Sequence, residues 1–291
     1  MKVLVTGVTG QLGHDCVHEL LGRGHEVVGT VRRAPEEGQL QLNLCDTAAV
    51  NAAVNGIDCV IHCAAWTDVD GAEDPANREA VWSANVQATK TLARACRQAG
   101  AKMIYISTDY VFDGRGSRPW MPDDKSFAPL NVYGESKLAG ELAVASELDR
   151  FFVVRTAWVF GLNGKNFIRT MIRVGKTHDS VRVVNDQIGT PTYTKDLARL
   201  LADMMETEKY GFYHATNEGG YLSWYDFCVE FYRQYGLNTK VIPVTTEEYG
   251  KSIAARPSNS RLDKSKLKEN GFEPLPDWRD AVSRYLKEAN L

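Results

Sequence analysis

Residues 2–13 read KVLVTGVTGQLG: an apolar run of strand type, glycines at 7, 10 and 13, and the start of an amphipathic stretch. A buried strand that turns through glycines straight into a helix is the first half of a βαβ unit. Such a unit requires a second strand parallel to the first. Further strand-type runs follow at EVVGTV (26–31), CVIHCAA (59–65), KMIYIST (102–108) and FFVVRTAWVF (151–160). Several are apolar throughout, as strands covered on both faces are. Helical stretches fall between them, such as 12–22, 76–99 and 133–146. This alternation predicts an α/β fold with a doubly wound parallel sheet of Rossmann type.

The pattern loosens after about residue 160. A helix over 194–206 and a strand over 211–217 read as a return to the sheet. SWYDFCVEFYRQYG (223–236) reads as a helix with Ser223 as N-cap. Its aromatics at 224, 227, 231 and 235 share one face, which is read as core. The expected division is a dinucleotide-binding domain of residues 1–157 and about 188–217. A smaller, discontinuous substrate domain takes about 158–187 and 218–291, packed over the strand C-terminal ends, where open α/β sheets bind ligands.

The charge balance narrows the partners. There are 34 basic and 37 acidic residues, a formal net charge of −3. No global field draws nucleic acid or an anionic membrane, so an anionic ligand has to be held by local groups. The six cysteines, at 16, 45, 59, 63, 96 and 228, form no CxxC pair and no zinc spacing with His. They suit a reducing compartment. No leader and no apolar run of the ~18 residues a span needs is seen, and a cytoplasmic protein is expected. His14, His62, His178 and His214 show no pairing that suggests a triad or metal.

Each glycine of the turn has a physical task. Gly7 permits the turn, Gly10 lets a pyrophosphate approach backbone N–H groups, and Gly13 lets helix pack on strand. Gln11 and Leu12 lie inside this cradle, and the helix N-terminus favours phosphate. A glycine-rich turn without ligand is the bland alternative. After the second strand come Arg32 and Arg33. A guanidinium pairs with a 2′-phosphate, so NADPH is favoured, with NADH as the second choice. Glu36 and Glu37 are close enough to compete for the arginines.

NVYGESKLAGE (131–141) sets Tyr133 and Lys137 four apart, one turn along a helix face. Such a pair is common on ordinary helix surfaces, and by itself it decides nothing. Its neighbours decide more. TGxxGxxG, then a strand ending in Ser107-Thr108, then YxxxK, in that order, resemble the short-chain dehydrogenase/reductase superfamily. The resemblance implies that Tyr133 supplies a proton to a carbonyl oxygen. Lys137 would lower the Tyr133 pKa and bind the nicotinamide ribose, and Thr108, with Ser107 as rival, would polarise the carbonyl. It also implies that Asn43 and Leu44 lie near the adenine, that Ala64, Ala65 and Trp66 pass beside the cofactor, and that Asn85 is structural.

STDYVFDG, PLNVYGESKLAGE, VRTAWVFG, GKNF, VVNDQIGTPT and RPSNSRLD together resemble the dTDP-4-dehydrorhamnose reductase family, over residues 1 to about 280. That resemblance implies reduction of a dTDP-4-keto sugar. Thr108, Asp109, Trp158, Asn166, Gln187 and Arg256 would meet the substrate. For Trp158 the alternative is a core residue, and for Arg256 a surface residue. Dehydration is disfavoured, because Tyr110 stands where dehydratases carry a carboxylate after Asp109. Two other readings stay open. One is a nucleotide-sugar epimerase or other reductase. The other is a non-catalytic regulatory subunit resembling the methionine adenosyltransferase beta subunit. No metal ligand is assigned; Mg²⁺ between carboxylates of two copies, and a homodimer itself, are left open.

Overall fold

The fold is that of a computed structural model, which describes residues 1–250 and 252–291. Seven parallel strands form the main sheet: β1 Lys2–Thr6, β2 Glu26–Val31, β3 Gln39–Gln41, β4 Cys59–His62, β5 Lys102–Thr108, β6 Phe151–Thr156 and β7 Gly211–His214. Their spatial order is β7-β6-β5-β4-β1-β2-β3. The order reverses between β1 and β4, which leaves a crevice at their C-terminal ends. Val3, Val5, Cys59, Ile61 and Ile104 face one core layer with α1 (Gln11–Gly22). Leu4, Val60, Met103, Tyr105 and Val153 face the other. The strands read apolar throughout because each alternate side chain is buried against a different helical layer.

Four expected elements end differently; the strand read over 211–217 stops at His214. The run 59–65 leaves the sheet after His62, so that residues 63–66 form the loop of the crevice. Helix 76–99 is interrupted by a π turn at Ser83–Gln87, between Arg78–Trp82 and α2 (Ala88–Ala99). The run 151–160 breaks after Thr156. Trp158 takes φ 51°, and Val159–Phe160 pairs with Thr192–Tyr193 outside the main sheet. A single apolar run thus supplies a strand to each half of the molecule.

The second half has its own core. Phe160, Ile168, Tyr193, Phe227, Phe231, Trp278 and Tyr285 cluster there, brought by α4 (Phe167–Gly175), α6 (Trp224–Tyr235) and α7 (Trp278–Glu288). The stripe Trp224, Phe227, Phe231 and Tyr235 faces that core as expected. Tyr193 packs in this second core, although it falls in the first segment set by sequence. Leu267, Phe272 and Leu275 pack back against the first core, beside α5 (Thr194–Met205).

Candidate active site

The glycine turn sits at the crevice. Gly7 has φ 70°, and a Cβ there would stand 2.8 Å from Ala64 N; a Cβ on Gly13 would stand 2.3 Å from Gly7 O. The turn is therefore packed as tightly as backbone allows, with the loop after β4 against it. Gly10 is the N-cap of α1 and offers no side-chain cap, and no acidic residue lies in the first turn. The first N–H groups of α1 are left for an anion. A dinucleotide pyrophosphate fits this cradle. Arg32 and Arg33 are exposed at the end of β2, and neither has an ion-pair partner among the described residues. Glu36 contacts Gln39 instead of the arginines. Asn43 spends its side-chain oxygen on Cys45 N, 3.1 Å away, and Leu44 packs on the core below the loop.

A buried polar chain holds the crevice loop to the helix that bears Tyr133 and Lys137. Ala64 N donates to Thr6 Oγ1 at 3.1 Å, and Thr6 Oγ1 meets His62 Nδ1 at 2.7 Å. His62 Nε2 meets Thr89 Oγ1 at 3.1 Å, and Thr89 donates to Asn85 O. Burial, with Lys137 nearby, pushes the His62 pKa down to about 3, so the ring is neutral and serves as a bridge. Asn85 lies in the π turn. It accepts from Trp66 N at 2.7 Å and donates to Trp66 O and to Ser136 Oγ. Ser136 in turn donates to Tyr133 O. The structural role expected for Asn85 is thus a tie between the cofactor side and the Tyr133 turn. Spacing alone does not reveal it, since its partners lie 19 and 51 residues away.

Tyr133 and Lys137 open α3 (Val132–Glu147), whose N-cap is Asn131; its side-chain oxygen accepts from Gly134 N at 2.8 Å. A Cβ on Gly134 would stand 2.4 Å from Tyr110 O, and one on Gly140 would stand 2.2 Å from Tyr105 Oη. Gly140 lets α3 lie close on β5, and Gly134 lets its first turn lie close on the turn after β5. Lys137 is 3% exposed; its Nζ donates to Ile106 O at 2.7 Å and stands 4.1 Å over the Tyr105 ring. Burial pulls its pKa down to about 7, although Glu141 opposes this.

The phenol departs from expectation. Burial first, then Asp109, push the Tyr133 pKa well above the ordinary phenol value, and the Thr108 hydroxyl against it only eases the shift. Lys137 is not among the causes of this shift. Asp109 is 2% exposed and pushed up to about 6 by burial. Thr108 Oγ1 donates to Asp109 Oδ1 at 3.0 Å. Asp109 Oδ2 and Ser107 Oγ are buried without a well-aligned hydrogen-bond partner among the described residues; the Ser260 side chain beside the carboxyl eases its upward shift. Orphaned buried oxygens at this edge suit a polar ligand.

The other expected substrate residues are engaged with protein. Trp158 stacks on Trp224 with centroids 3.8 Å apart, while its edge faces Gly189. Asn166 is the N-cap of α4: it accepts from Arg169 N and donates to Gly161 O, Tyr285 Oη and Gln11 Oε1. With Asn163, which donates to Thr9 O, it joins the second half to the glycine turn. Gln187 donates to Thr246 Oγ1. Arg256 pairs with Asp70 at 2.8 Å and reaches Tyr110 Oη at 3.3 Å.

The parallel sheet with its glycine turn and the helix bearing Tyr133 and Lys137 is the Rossmann-type architecture of short-chain dehydrogenases and reductases. The profile of the RmlD substrate binding domain matches residues 1–291. The dTDP-4-dehydrorhamnose reductase of Streptomyces griseus is 42% identical over 289 residues, covering 96% of this chain and 91% of that protein. The spore coat polysaccharide biosynthesis protein SpsK of Bacillus subtilis is 37% identical, over 99% of this chain and 97% of its own length. Among solved structures, a dTDP-4-dehydrorhamnose reductase from Clostridium acetobutylicum superimposes with TM-score 0.93 at 38% identity over 100% of both chains. One from Bacillus anthracis, in complex with NADP, gives 0.91 at 37% over 99% of each. The chain belongs to this dTDP-4-dehydrorhamnose reductase family.

Proposed function

We propose that this protein reduces the C4 ketone of dTDP-4-dehydro-L-rhamnose with NADPH to give dTDP-L-rhamnose. The observation that carries the reading is the convergence of Thr108, Tyr133 and Lys137 at the crevice beside the glycine cradle. The named activity of the relatives and the NADP in the Bacillus anthracis structure support substrate and cofactor.

NADPH, when bound, supplies a hydride to the carbonyl carbon. The residues of the chain handle the oxygen. Thr108 turns its hydroxyl from Asp109 to the carbonyl oxygen and polarises it. Tyr133, held neutral by its raised pKa, delivers its phenolic proton to that oxygen as the C–H bond forms. Lys137 in its ammonium form offsets the phenolate left behind. Arg32 and Arg33 hold the 2′-phosphate. The half-buried Trp158 offers its remaining surface to the sugar, and Arg256 meets the diphosphate.

The test is turnover of the 4-keto sugar with NADPH carrying deuterium at the transferred position, followed by NMR of the product. A rhamno-configured product with deuterium at C4 is expected. Sugar interconversion without NADPH consumption would move the assignment to an epimerase. Folded, cofactor-binding protein with no turnover would move it to the partner-binding reading.

A further inference from the structure

The loop after β4 and the segment that precedes Ser258 meet above the N-terminus of α3. Asp70 makes both contacts of that meeting. Its Oδ1 accepts from Ala254 N at 3.0 Å, and its Oδ2 pairs with Arg256 Nη2 at 2.8 Å. The other guanidinium nitrogen, Nη1, donates to Tyr110 Oη at 3.3 Å. The Tyr110 ring packs edge-on against the Tyr133 ring, centroids 5.7 Å apart. The same segment is fixed by Asn131 Nδ2 to Ala255 O and by Ser258 Oγ to Gly114 O. Asn131 is also the N-cap of the helix that carries Tyr133.

Charge makes this arrangement incompatible with a bound diphosphate. Arg256 is already paired where it stands, since Asp70 Oδ2 takes Nη2 and Tyr110 Oη takes Nη1. A diphosphate brought to the same guanidinium would approach the Asp70 carboxylate too, and like charges repel. The ion pair is only partly exposed, with side chains 21% and 38% accessible, so it is weak enough to be exchanged.

We propose that Asp70 is a resident anion that holds Arg256 until the diphosphate of a nucleotide ligand takes its place. The exchange rests on the reading of Arg256 as a diphosphate ligand. Asp70 keeps Arg256 from collapsing elsewhere while the site is empty. Its release lets Arg256 turn away from Tyr110, whose ring borders Tyr133. Binding of the nucleotide end is thereby coupled to the surroundings of the tyrosine. Asp70 is a positioning residue; it need not touch the sugar.

The experiment is calorimetric titration of the NADP⁺-saturated protein with dTDP and, separately, with thymidine. Wild type is compared with Asp70→Asn, Asp70→Glu and Arg256→Gln. An asparagine oxygen still accepts from Ala254 N, so Asp70→Asn removes charge and keeps the strap attached. The expected result is dTDP bound about two- to fivefold more tightly by Asp70→Asn, the scale of a half-exposed ion pair. Thymidine affinity stays unchanged, Asp70→Glu stays near wild type, and Arg256→Gln weakens dTDP about tenfold. If Asp70→Asn leaves dTDP affinity unchanged or weakens it while Arg256→Gln still weakens it, the exchange is overturned and Arg256 remains a diphosphate ligand. If Arg256→Gln has no effect on dTDP, the reading of Arg256 itself fails, and the exchange with it. Should Asp70→Asn be poorly folded, Asp70→Ser gives the same comparison.

Discussion

The two sides of the crevice are built on opposite plans. On the sheet side, Thr6, His62, Thr89, Asn85 and Ser136 form one buried hydrogen-bonded chain from the glycine turn to Tyr133. Nothing there has to move for Tyr133 and Lys137 to share a site. On the side of the second domain, Trp158 lies on Trp224, Gln187 on Thr246 and Arg256 on Asp70. Each of these has a protein partner where the proposed function needs a ligand. Under the proposed function the chemistry is preorganised, and recognition proceeds by exchange of partners. The difference follows from burial. A fully satisfied polar chain in a core is rigid, whereas a part-exposed ion pair such as Arg256–Asp70 costs little to part.

That contrast can be broken in order of effect. Thr108→Val keeps the shape of the strand end and removes the polarising hydroxyl. We expect kcat to fall about a hundredfold with cofactor affinity unchanged, measured by steady-state kinetics and cofactor titration. Gly140→Ala would drive a methyl into Tyr105 Oη and Asn85 O. It should destabilise the fold by about 2 kcal/mol and lower kcat as α3 lifts from β5, seen by denaturant unfolding alongside rates.

Arg32→Ser combined with Arg33→Ser should weaken NADPH about tenfold and leave NADH as it was, since the two guanidinium groups stand free at the rim; fluorescence titration of both cofactors checks this. Trp158→Leu belongs to the exchanging side. It should raise KM about fivefold with kcat nearly unchanged, and an equal loss in kcat would place Trp158 in the preorganised half.

Lys137 gives the comparison a pH signature. Its folded pKa of about 7 lies below the ordinary lysine value of 10.5. Between those values the unfolded chain binds more protons than the folded one, so the Lys137 contribution to stability rises with pH across that window. The ammonium needed to offset the phenolate is lost over the same range. The kcat/KM profile should therefore fall on the alkaline side of about pH 7. In Lys137→Arg, where the charge persists, that limb should vanish from whatever activity remains.

The sheet side was the more legible half in sequence, and the reason is local. Strand runs, the glycine turn and the four-residue step from Tyr133 to Lys137 are written within one or two turns of chain. The backbone break at Trp158 was hidden, because 151–160 is apolar from end to end while its two pieces serve different cores. Asn166 reads as a ligand residue in GKNF, yet its geometry is that of a helix N-cap. Asp70 carried no signal at all, since Arg256 is 186 residues away and no period links them. The direction of the Tyr133 shift was also out of reach. It depends first on how deeply Tyr133 itself is buried and then on Asp109 beside it, which spacing does not encode.

The central claim is that Tyr133 is the loaded proton donor of a preorganised reductase site. The most direct measurement is loss of reduced-nicotinamide absorbance on mixing dTDP-4-keto sugar and NADPH with wild-type protein and with Tyr133→Phe. The account predicts steady consumption by wild type, and a rate at least about a thousandfold lower in Tyr133→Phe with NADPH binding intact. Consumption by Tyr133→Phe within tenfold of wild type would contradict it.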